Sequence, residues 1–505
     1  MIYHIVLLVG MLLCSVCAQA ESLSHSPTQA MIAPNKAMLS VEAELPLKDI
    51  GDGLAVFSFF LPPKATNFRM RVLGADLIKE EFLPKVLAPQ SRLAQERCRL
   101  EKRLVEIAGE NAVIEAKKRL WSSLPDQYTV EELERLEEKK GRFFGGIEAA
   151  IARLQQEKAD IEGVLAHMPD TNRIGTEIVG TVVNVKGKTV RVLYTYTSTA
   201  CGWKARYMFG IDPQKAMDQI TVSLRADITQ QSGIDWTNTK IVLVTGTEGR
   251  LQPNTLARWE LEADEKPQAI MEKRVISVGS IQGMTAGSIS PNAVRRASPE
   301  RSTQGVFAEW LLPITTLWEG QSTVLIEEKV WKDPIFWLAR PNRTKGEVYL
   351  MAKHSIPQGE VWPEGEASFS VAGQITGKSH FATKSGLVTL FFGRDPRVGF
   401  DVVQDARKQG ESGFLGREKT WTWAWLYTIT NTHSHPIAIR VERPNPQIVN
   451  EKITVIHTNT PKALVDTKEH ALVWEVTVPA GATESIKHAL SIKAPESMQF
   501  KPSAP

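Results

Sequence analysis

The sequence predicts a mainly β protein with an α-helical insertion, in which β-sandwich-type domains accompany a long antiparallel coiled-coil helical hairpin. Residues 30–86, 173–252 and 306–498 contain runs that alternate apolar and polar side chains, which is typical of half-buried strands. Apolar residues instead recur every three or four positions across residues 88–168, as they do on one face of a helix. A chain of 505 residues is long enough for several domains of roughly 100–200 residues each.

The first 20 residues predict a signal peptide. Residues 5–13 form an apolar run, and Ala18-Gln19-Ala20 supplies the small residues that a signal peptidase requires. The run is short for a membrane-spanning helix of roughly 20 residues, so cleavage after Ala20 is favoured over an uncleaved anchor. We therefore expect export to the periplasm or cell envelope, with no transmembrane helix in the mature chain.

Residues 30–86 predict a small N-terminal β domain, because their strand-like runs are separated by the turn signals Gly51-Asp52-Gly53 and Pro62-Pro63. Residues 173–252 predict the first part of a second β domain. Residues 253–305 lose the periodicity and are rich in glycine, serine and proline, which indicates a flexible linker or insertion. Strand-like runs resume in residues 306–498, the second part of the C-terminal β domain.

Residues 88–168 predict two helices that pack against each other. The apolar seam of the first helix is Leu93, Leu100, Leu104, Ile107, Ile114 and Trp121, with Arg97, Asn111 and Lys118 as exceptions. The seam of the second helix is Leu133, Leu136, Phe143, Ile147, Ala150, Leu154, Ile161, Val164 and Met168. The break at Leu124-Pro125-Asp126-Gln127, followed by a capping box of Thr129 and Glu132, predicts a short loop and thus an antiparallel coiled coil.

Three glycines within these helices form a candidate hinge. Antiparallel pairing around the predicted loop places Gly109 opposite Gly145 and Gly146. Glycine destabilises a helix interior by about 1 kcal/mol relative to alanine, so one interpretation is a local bend. The other interpretation is close packing of the two helices at this level.

One stretch carries a family resemblance. The block from Gly202 to Tyr207 and the Ser-Gly-Ile-Asp-Trp turn that ends at Trp236 resemble the core motif of the mucoidy inhibitor A family of bacterial exported proteins. The motif residues are Gly202, Trp203, Tyr207, Gly233, Asp235 and Trp236, together with Gly393, Asp395, Asn431 and Trp474 in the C-terminal half. The resemblance implies paired N- and C-terminal domains of unknown function in the cell envelope, and it implies no reaction.

Charge and cysteine content exclude some classes of function. The 60 Lys and Arg residues against 57 Asp and Glu residues leave a net charge of only +3, so no nucleic-acid partner is expected. Two cysteines, Cys98 and Cys201, remain after the signal peptide. Because one falls on a predicted helix and the other in a predicted sheet, we favour two separate buried thiols over a disulfide.

The candidates for reaction chemistry are few. His433-Ser434-His435 can place two imidazoles on one face of a strand, but no further ligand accompanies them at diagnostic spacing. Asp235 and Asp395 are typical turn aspartates, whose carboxylates bond nearby backbone N–H groups. We therefore expect no catalytic residue, no bound metal and no cofactor.

The alternating Trp421, Trp423, Trp425 and Tyr427 point to one side of a strand. This aromatic strip predicts either a packing surface or a platform that stacks on sugar rings. Three hypotheses for function follow: a non-catalytic envelope protein that binds a protein partner through the helical hairpin, a protein that binds glycan or capsular polysaccharide through the aromatic strip, and an unrecognised hydrolase.

Overall fold

The computed structural model describes residues 24–122, 130–169, 174–246, 300–302, 307–342, 346–383, 386–412, 418–448 and 450–498. The predicted signal peptide, the predicted loop at Leu124-Pro125-Asp126-Gln127 with the capping residue Thr129, and residues 253–299 and 303–305 of the predicted linker lie outside these residues. The described chain contains two helices, α1 (Arg92–Ser122) and α2 (Val130–His167), and is otherwise built from strands and their connections.

Strands β1–β6 precede the helices, and β7–β26 follow them. The first six are β1 (Gln29–Ala33), β2 (Lys36–Pro46), β3 (Lys48–Gly51), β4 (Leu54–Leu61), β5 (Ala65–Leu73) and β6 (Asp76–Val86). The next ten are β7 (Ile174–Val183), β8 (Thr189–Ser198), β9 (Cys201–Ile211), β10 (Gln219–Gln230), β11 (Lys240–Val244), β12 (Glu300–Ser302), β13 (Glu309–Leu311), β14 (Gly320–Lys332), β15 (Ile335–Ala339) and β16 (Val348–Ser355). The last ten are β17 (Gly365–Val371), β18 (Gln374–Phe381), β19 (Leu387–Arg394), β20 (Val398–Ser412), β21 (Glu418–Asn431), β22 (Ile437–Pro444), β23 (Thr454–Thr460), β24 (Leu464–Asp466), β25 (Ala471–Val478) and β26 (Thr483–Pro495).

These strands form five sheets. Their strand orders are β12-β13-β11-β1-β2-β8-β5, β14-β10-β9-β17-β18, β19-β16-β15-β22-β25-β24, β20-β21-β26-β23 and β3-β4-β7-β6. Three parallel pairings, β1 with β11, β9 with β17 and β15 with β22, join segments that lie far apart in the sequence. The chain therefore closes its sheets through long-range contacts rather than through hairpins alone.

Strands on either side of the helices pair with each other. β2 pairs with β8, β4 with β7, and β6 with β7. In the last of these pairs Val86 lies opposite Ile174, so the chain leaves the sheet into α1 and returns from α2 at the same end of one antiparallel pair. The two helices are thus an insertion between β6 and β7.

Alternation of side chains places one face of most strands in a shared hydrophobic core. In β9 the side chains at odd positions, from Trp203 to Ile211, are buried, while Lys204, Arg206 and Met208 face outward. The largest fully buried side chains of the core are tryptophans, namely Trp236, Trp310, Trp337, Trp425 and Trp474. Since large aromatics bury about 150–250 Å² each, these rings dominate the packing.

The prediction of a long antiparallel coiled-coil hairpin is wrong. The structure is mainly β, and among the helix side chains that it describes no continuous heptad seam joins α1 to α2. The cluster between α1 and α2 buries Ile107, Leu154 and Ile161, with a few partly buried neighbours, while Val164 of the predicted seam is 52% exposed. Spacing of three or four residues marks an amphipathic helix face, but a coiled coil also requires knobs and holes to match along both helices.

Neither helix of the described residues is both long enough and apolar enough to span a membrane.

Candidate functional site

The described residues contain two features with the geometry of a functional site. One is the point where α1 begins, which we call the helix base and define as Ser91, Arg92, Gly233, Asp235 and Glu319. The other is a large groove at one end of the five-stranded sheet β14-β10-β9-β17-β18. Motif residues predicted from the sequence contribute to both.

At the helix base, Ser91 caps the first turn of α1. Its Oγ accepts a hydrogen bond from the backbone N–H of Ala94 at 3.0 Å, as an N-cap serine does. The same hydroxyl contacts the carboxylate of Glu319, which belongs to the segment that leads into β14. The helix start is therefore joined to a strand that lies more than 200 residues later in the chain.

Asp235 makes a second connection between the same elements. Its Oδ2 accepts a hydrogen bond from the backbone N–H of Arg92 at 2.8 Å, and its Oδ1 accepts one from the backbone N–H of Glu319 at 2.9 Å. The N–H of Gly233 donates to Glu319 Oε1 at 3.1 Å. A carboxylate beside the free N–H groups of a helix N-terminus also interacts favourably with the helix dipole.

The turn that presents Asp235 is fixed from inside the core. The fully buried Trp236 donates from Nε1 to Ser232 Oγ at 3.1 Å, and its backbone exchanges two hydrogen bonds with Leu317. Gln230 donates to the carbonyl of Ile234 at 2.7 Å. Gly233 has a φ of +86°, a region that L side chains rarely adopt. These contacts explain why glycine, aspartate and tryptophan occur at this spacing.

The carboxyl group of Glu319 has a raised pKa. Burial is the main cause, and the charge of Asp235 adds to it, while the hydrogen bonds from Ser91 and Gly233 and the charge of Lys64 oppose it. Beside this carboxyl group, the guanidinium carbon of Arg92 lies 3.5 Å from the ring centre of Trp318, which is 40% exposed. The helix base thus combines a half-buried acid with a neighbouring exposed cation–aromatic pair.

The groove has a volume of about 1140 Å³. Its floor is the outward face of the five-stranded sheet near the first residues of β9 and β17 and the last residues of β10. Its walls come from the turn at Pro34-Asn35, the turn at Thr199-Ala200 and the segment that precedes β17. Motif residue Gly202 lies in this groove.

Charged side chains of opposite sign alternate across the floor. Arg206 and Asp227 form an ion pair at 2.5 Å, and the hydroxyl of Thr323 donates to Asp227 at 2.7 Å. At the opposite side His380 lies 3.7 Å from Glu364. Most of these side chains are exposed, so the groove offers hydrogen-bond donors and acceptors to solvent beside its apolar lining.

The motif residues of the C-terminal half support turns. Asp395 Oδ2 accepts hydrogen bonds from Trp337 Nε1 at 2.6 Å and from His433 Nε2 at 2.8 Å. Asn431 is fully buried, and its Nδ2 donates to the carbonyls of His435, Val478 and Pro479. These contacts assign Asp395 and Asn431 to the packing of neighbouring loops.

The histidine pair lies beside this network. The ring centres of His433 and His435 are 4.9 Å apart, and His433 Nε2 is occupied by Asp395. Within the described ranges, no group of three or more His, Cys, Asp or Glu side chains has the geometry to hold a metal ion.

The aromatic strip lies in the core. Trp421, Trp423, Trp425 and Tyr427 are each at most 9% exposed. The imidazole of His488 stacks on Trp425 with ring centres 5.2 Å apart, and burial lowers the pKa of His488 to about 3. Rings packed in this way are not accessible to a sugar.

Two other predicted features can be placed. Cys98 and Cys201 are not joined by a disulfide, and burial raises the pKa of the Cys201 thiol. Gly109, Gly145 and Gly146 lie on the outside of their helices, and a Cβ added at any of them would meet no neighbouring atom within 4 Å. This open space gives no support to close packing at the glycines.

A family model described as a domain of unknown function, DUF4139, matches residues 192–496, which is more than half of the chain. The chain belongs to the DUF4139 family. No curated protein and no solved structure matches the chain. The DUF4139 match begins within β8 and includes Asp235, Glu319 and the floor of the groove, whereas both helices lie outside it.

Sequence reasoning missed Ser91, Glu319 and the groove. A serine directly before a helical pattern is a usable signal, because N-cap positions favour it. Glu319 carried no local signal, since its partners lie in segments that are distant in the sequence. The groove could not be found because its floor combines strands whose pairing the sequence does not reveal.

Proposed function

We propose that this protein is an exported, non-catalytic protein of the bacterial cell envelope and a member of the mucoidy inhibitor A family, with α1 and α2 as its protein-binding element. The resemblance of its motif residues to that family supports the location. The expected signal peptide in residues 1–20 supports export.

The observation that carries the binding role is an exposed apolar stripe on α1. Val105 and Val113 are 48% and 49% exposed, and Gly109 lies between them. Residues spaced by four lie on the same helix face, so the two valines and the glycine form a continuous stripe, which we call the α1 stripe. Apolar side chains on an insertion lose this exposure when a partner covers them, which is favourable by about 25 cal/mol per Å².

The helix base supports the same role. The hydrogen bond that Asp235 accepts from the backbone N–H of Arg92, and the one that the Ser91 hydroxyl donates to Glu319, fix the start of α1 relative to the DUF4139 region. A binding element whose first turn is fixed in this way presents its stripe in a defined direction, which reduces the entropy lost on association. The polar motif residues Asp235, Asp395 and Asn431 are engaged in bonds of this structural kind, which favours binding over catalysis.

Site-specific photo-crosslinking in the exporting bacterium tests the proposal. A photoreactive residue is placed at Val105 or Val113, and a matched control is placed at the exposed Glu115, about 120° from the stripe around the same helix at 100° per residue. We expect a discrete crosslinked protein from the two stripe positions and none from Glu115. Equal crosslinking at all three positions, or none at any of them, would contradict the role of the stripe.

Export has its own readout. Mass spectrometry of the protein from the periplasmic fraction should show an N-terminus at Glu21. An intact Met1 terminus in that protein would remove the proposal of a cleaved signal peptide, independently of the result of crosslinking.

A further inference from the structure

We propose that the groove on the five-stranded sheet is a binding site for a linear oligosaccharide without net charge. The inference rests on three properties of the groove: a backbone frame that leaves no room for side chains at two glycines, a floor of alternating donors and acceptors, and a volume suited to an extended ligand. The site is separate from the α1 stripe and from the buried aromatic strip.

The walls of the groove are held by close backbone contacts. A Cβ at Gly202 would lie 2.5 Å from the carbonyl oxygen of Pro34, and a Cβ at Gly365 would lie 2.1 Å from the carbonyl oxygen of Ala205. Both distances are shorter than any van der Waals contact, so only glycine permits these approaches. Tyr207 donates its hydroxyl to the carbonyl of Pro363 at 2.6 Å and thereby fixes the segment before β17. The groove is consequently preformed.

The floor offers polar groups of both kinds at short intervals. Cross-strand partners place Thr229 opposite Gly202, Asp227 opposite Lys204, and Glu366 opposite Arg206. Because cross-strand neighbours are about 4.5–5.5 Å apart, polar side chains follow one another across the floor at intervals close to the length of one hexose unit in a chain. A sugar hydroxyl both donates and accepts, so it can bond to either kind.

Charge and size narrow the ligand class. Lys204 and Arg206 are offset by the carboxylates of Asp227, Glu364 and Glu366, so the groove has no positive excess to attract a polyanion. The volume of about 1140 Å³ exceeds the roughly 300–1,000 Å³ of a pocket for one small molecule. The geometry therefore fits a chain of several neutral units better than a nucleotide or a single metabolite.

A peptide fits the groove less well than a glycan. Peptides that bind to sheets gain affinity by pairing their backbone with an exposed strand edge and by filling apolar pockets. The floor strands β9 and β10 are interior strands, whose backbone groups are already paired on both sides. The floor side chains are charged or hydroxylated, while Val361 and Pro363 on one wall provide an apolar surface for the C–H face of a sugar ring.

The test uses isothermal titration of the whole mature protein with linear hexasaccharides of glucose, galactose, mannose and N-acetylglucosamine. A hexasaccharide of uronic acid and a library of nonapeptides are titrated alongside. We expect at least one neutral hexasaccharide to bind. Thr229→Val, which removes one floor hydroxyl at constant shape, should weaken that binding about fivefold, as loss of one net hydrogen bond does.

Thr221→Val is the matched control. Thr221 lies on the same strand and the same outward face as Thr229 but outside the groove, so its substitution should leave the affinity unchanged. The proposal is overturned if no neutral hexasaccharide binds at millimolar concentration, if only the uronic acid oligomer or a peptide binds, or if Thr229→Val and Thr221→Val have the same effect. Thermal melting confirms that both variants fold, and Lys204→Met provides a second floor variant with the same expected direction.

Discussion

Replacing Asp235 by alanine tests whether the helix base joins α1 to the β body. The change removes the only side-chain group that accepts both the backbone N–H of Arg92 and that of Glu319 among the described contacts, at 2.8 and 2.9 Å. A hydrogen bond to a charged group contributes about 1.5–3 kcal/mol. Because Asp235 is partly exposed, the lower end applies to each bond, and the free energy of unfolding should fall by about 3 kcal/mol.

The measurement combines denaturant unfolding with amide hydrogen exchange. Exchange at the Arg92 and Glu319 amides should accelerate in Asp235→Ala, because both N–H groups lose their acceptor. Asp235→Asn keeps one carbonyl oxygen and should lose about half as much stability. Asp401→Ala, at an exposed position of β20, is the control and should change stability by no more than about 0.5 kcal/mol.

The reasoning is refuted if Asp235→Ala matches the Asp401→Ala control in stability and leaves the exchange of both amides unchanged. A loss of stability without faster exchange at Arg92 would also contradict it. In that case Asp235 would act within its own turn and not at the start of α1.

Three further predictions concern titration and packing. Burial raises the pKa of Glu319 above its ordinary value near 4.5. Between the unfolded and the folded pKa the folded state keeps a proton that the unfolded state has lost, so the free energy of unfolding should fall as pH rises through that interval. Urea unfolding between about pH 4 and pH 8 should therefore show a weaker dependence of this free energy on pH for Glu319→Gln than for the unaltered protein. Gly365→Ala should destabilise the fold by several kcal/mol because its Cβ meets the Ala205 carbonyl, whereas Gly377→Ala, with open space around it, should be nearly neutral in thermal melts. Gly145→Ala with Gly146→Ala should raise the stability of α2 by about 1 kcal/mol per residue in melts followed by circular dichroism. An unchanged or lower melting temperature would contradict the open environment of these glycines. A higher melting temperature together with loss of crosslinking at the α1 stripe would favour the hinge.

The sequence was sufficient to predict the mainly β character, because alternation is a local property of each strand. It was not sufficient to predict the pairing. β9 pairs in parallel with β17, from which it is separated by more than 150 residues, and nothing local in either strand specifies the other. Side-chain alternation determines which face of a strand is apolar, but the partner depends on the whole fold.

For the aromatic strip too, local alternation shows which side chains share a face of the strand but not what that face contacts. Alternation correctly predicts that Trp421, Trp423, Trp425 and Tyr427 share one face of β21. Whether that face is covered depends on β22 and β25 of another sheet, whose Arg443 and Trp474 lie against Trp425 and Tyr427. The sequence therefore left packing and sugar stacking both open, and burial in the structure decides for packing at these four residues.

The prediction of a coiled coil was wrong for a different reason. Apolar spacing correctly located two helices, but the step to a coiled coil assumed that every seam residue meets a partner on the other helix. The exposed Val164 shows that the seams do not match throughout. Charged residues at seam positions, such as Arg97 and Lys118, already argued against a coiled coil in the sequence, because they reduce the apolar contact between the helices that a coiled coil requires.

The groove and the helix base adjoin each other through one short segment. Gln231 lines the groove and directly precedes Ser232, where the turn that presents Asp235 begins. The N–H of Gln231 bonds to the carbonyl of Ala200 at 3.2 Å, and Ala200 also lines the groove. Gln230 fixes the same turn from the core side through its bond to Ile234. The end of β10 therefore supports both one wall of the groove and the start of α1. The motif residues Gly233, Asp235 and Trp236 lie in the turn that connects these two sites.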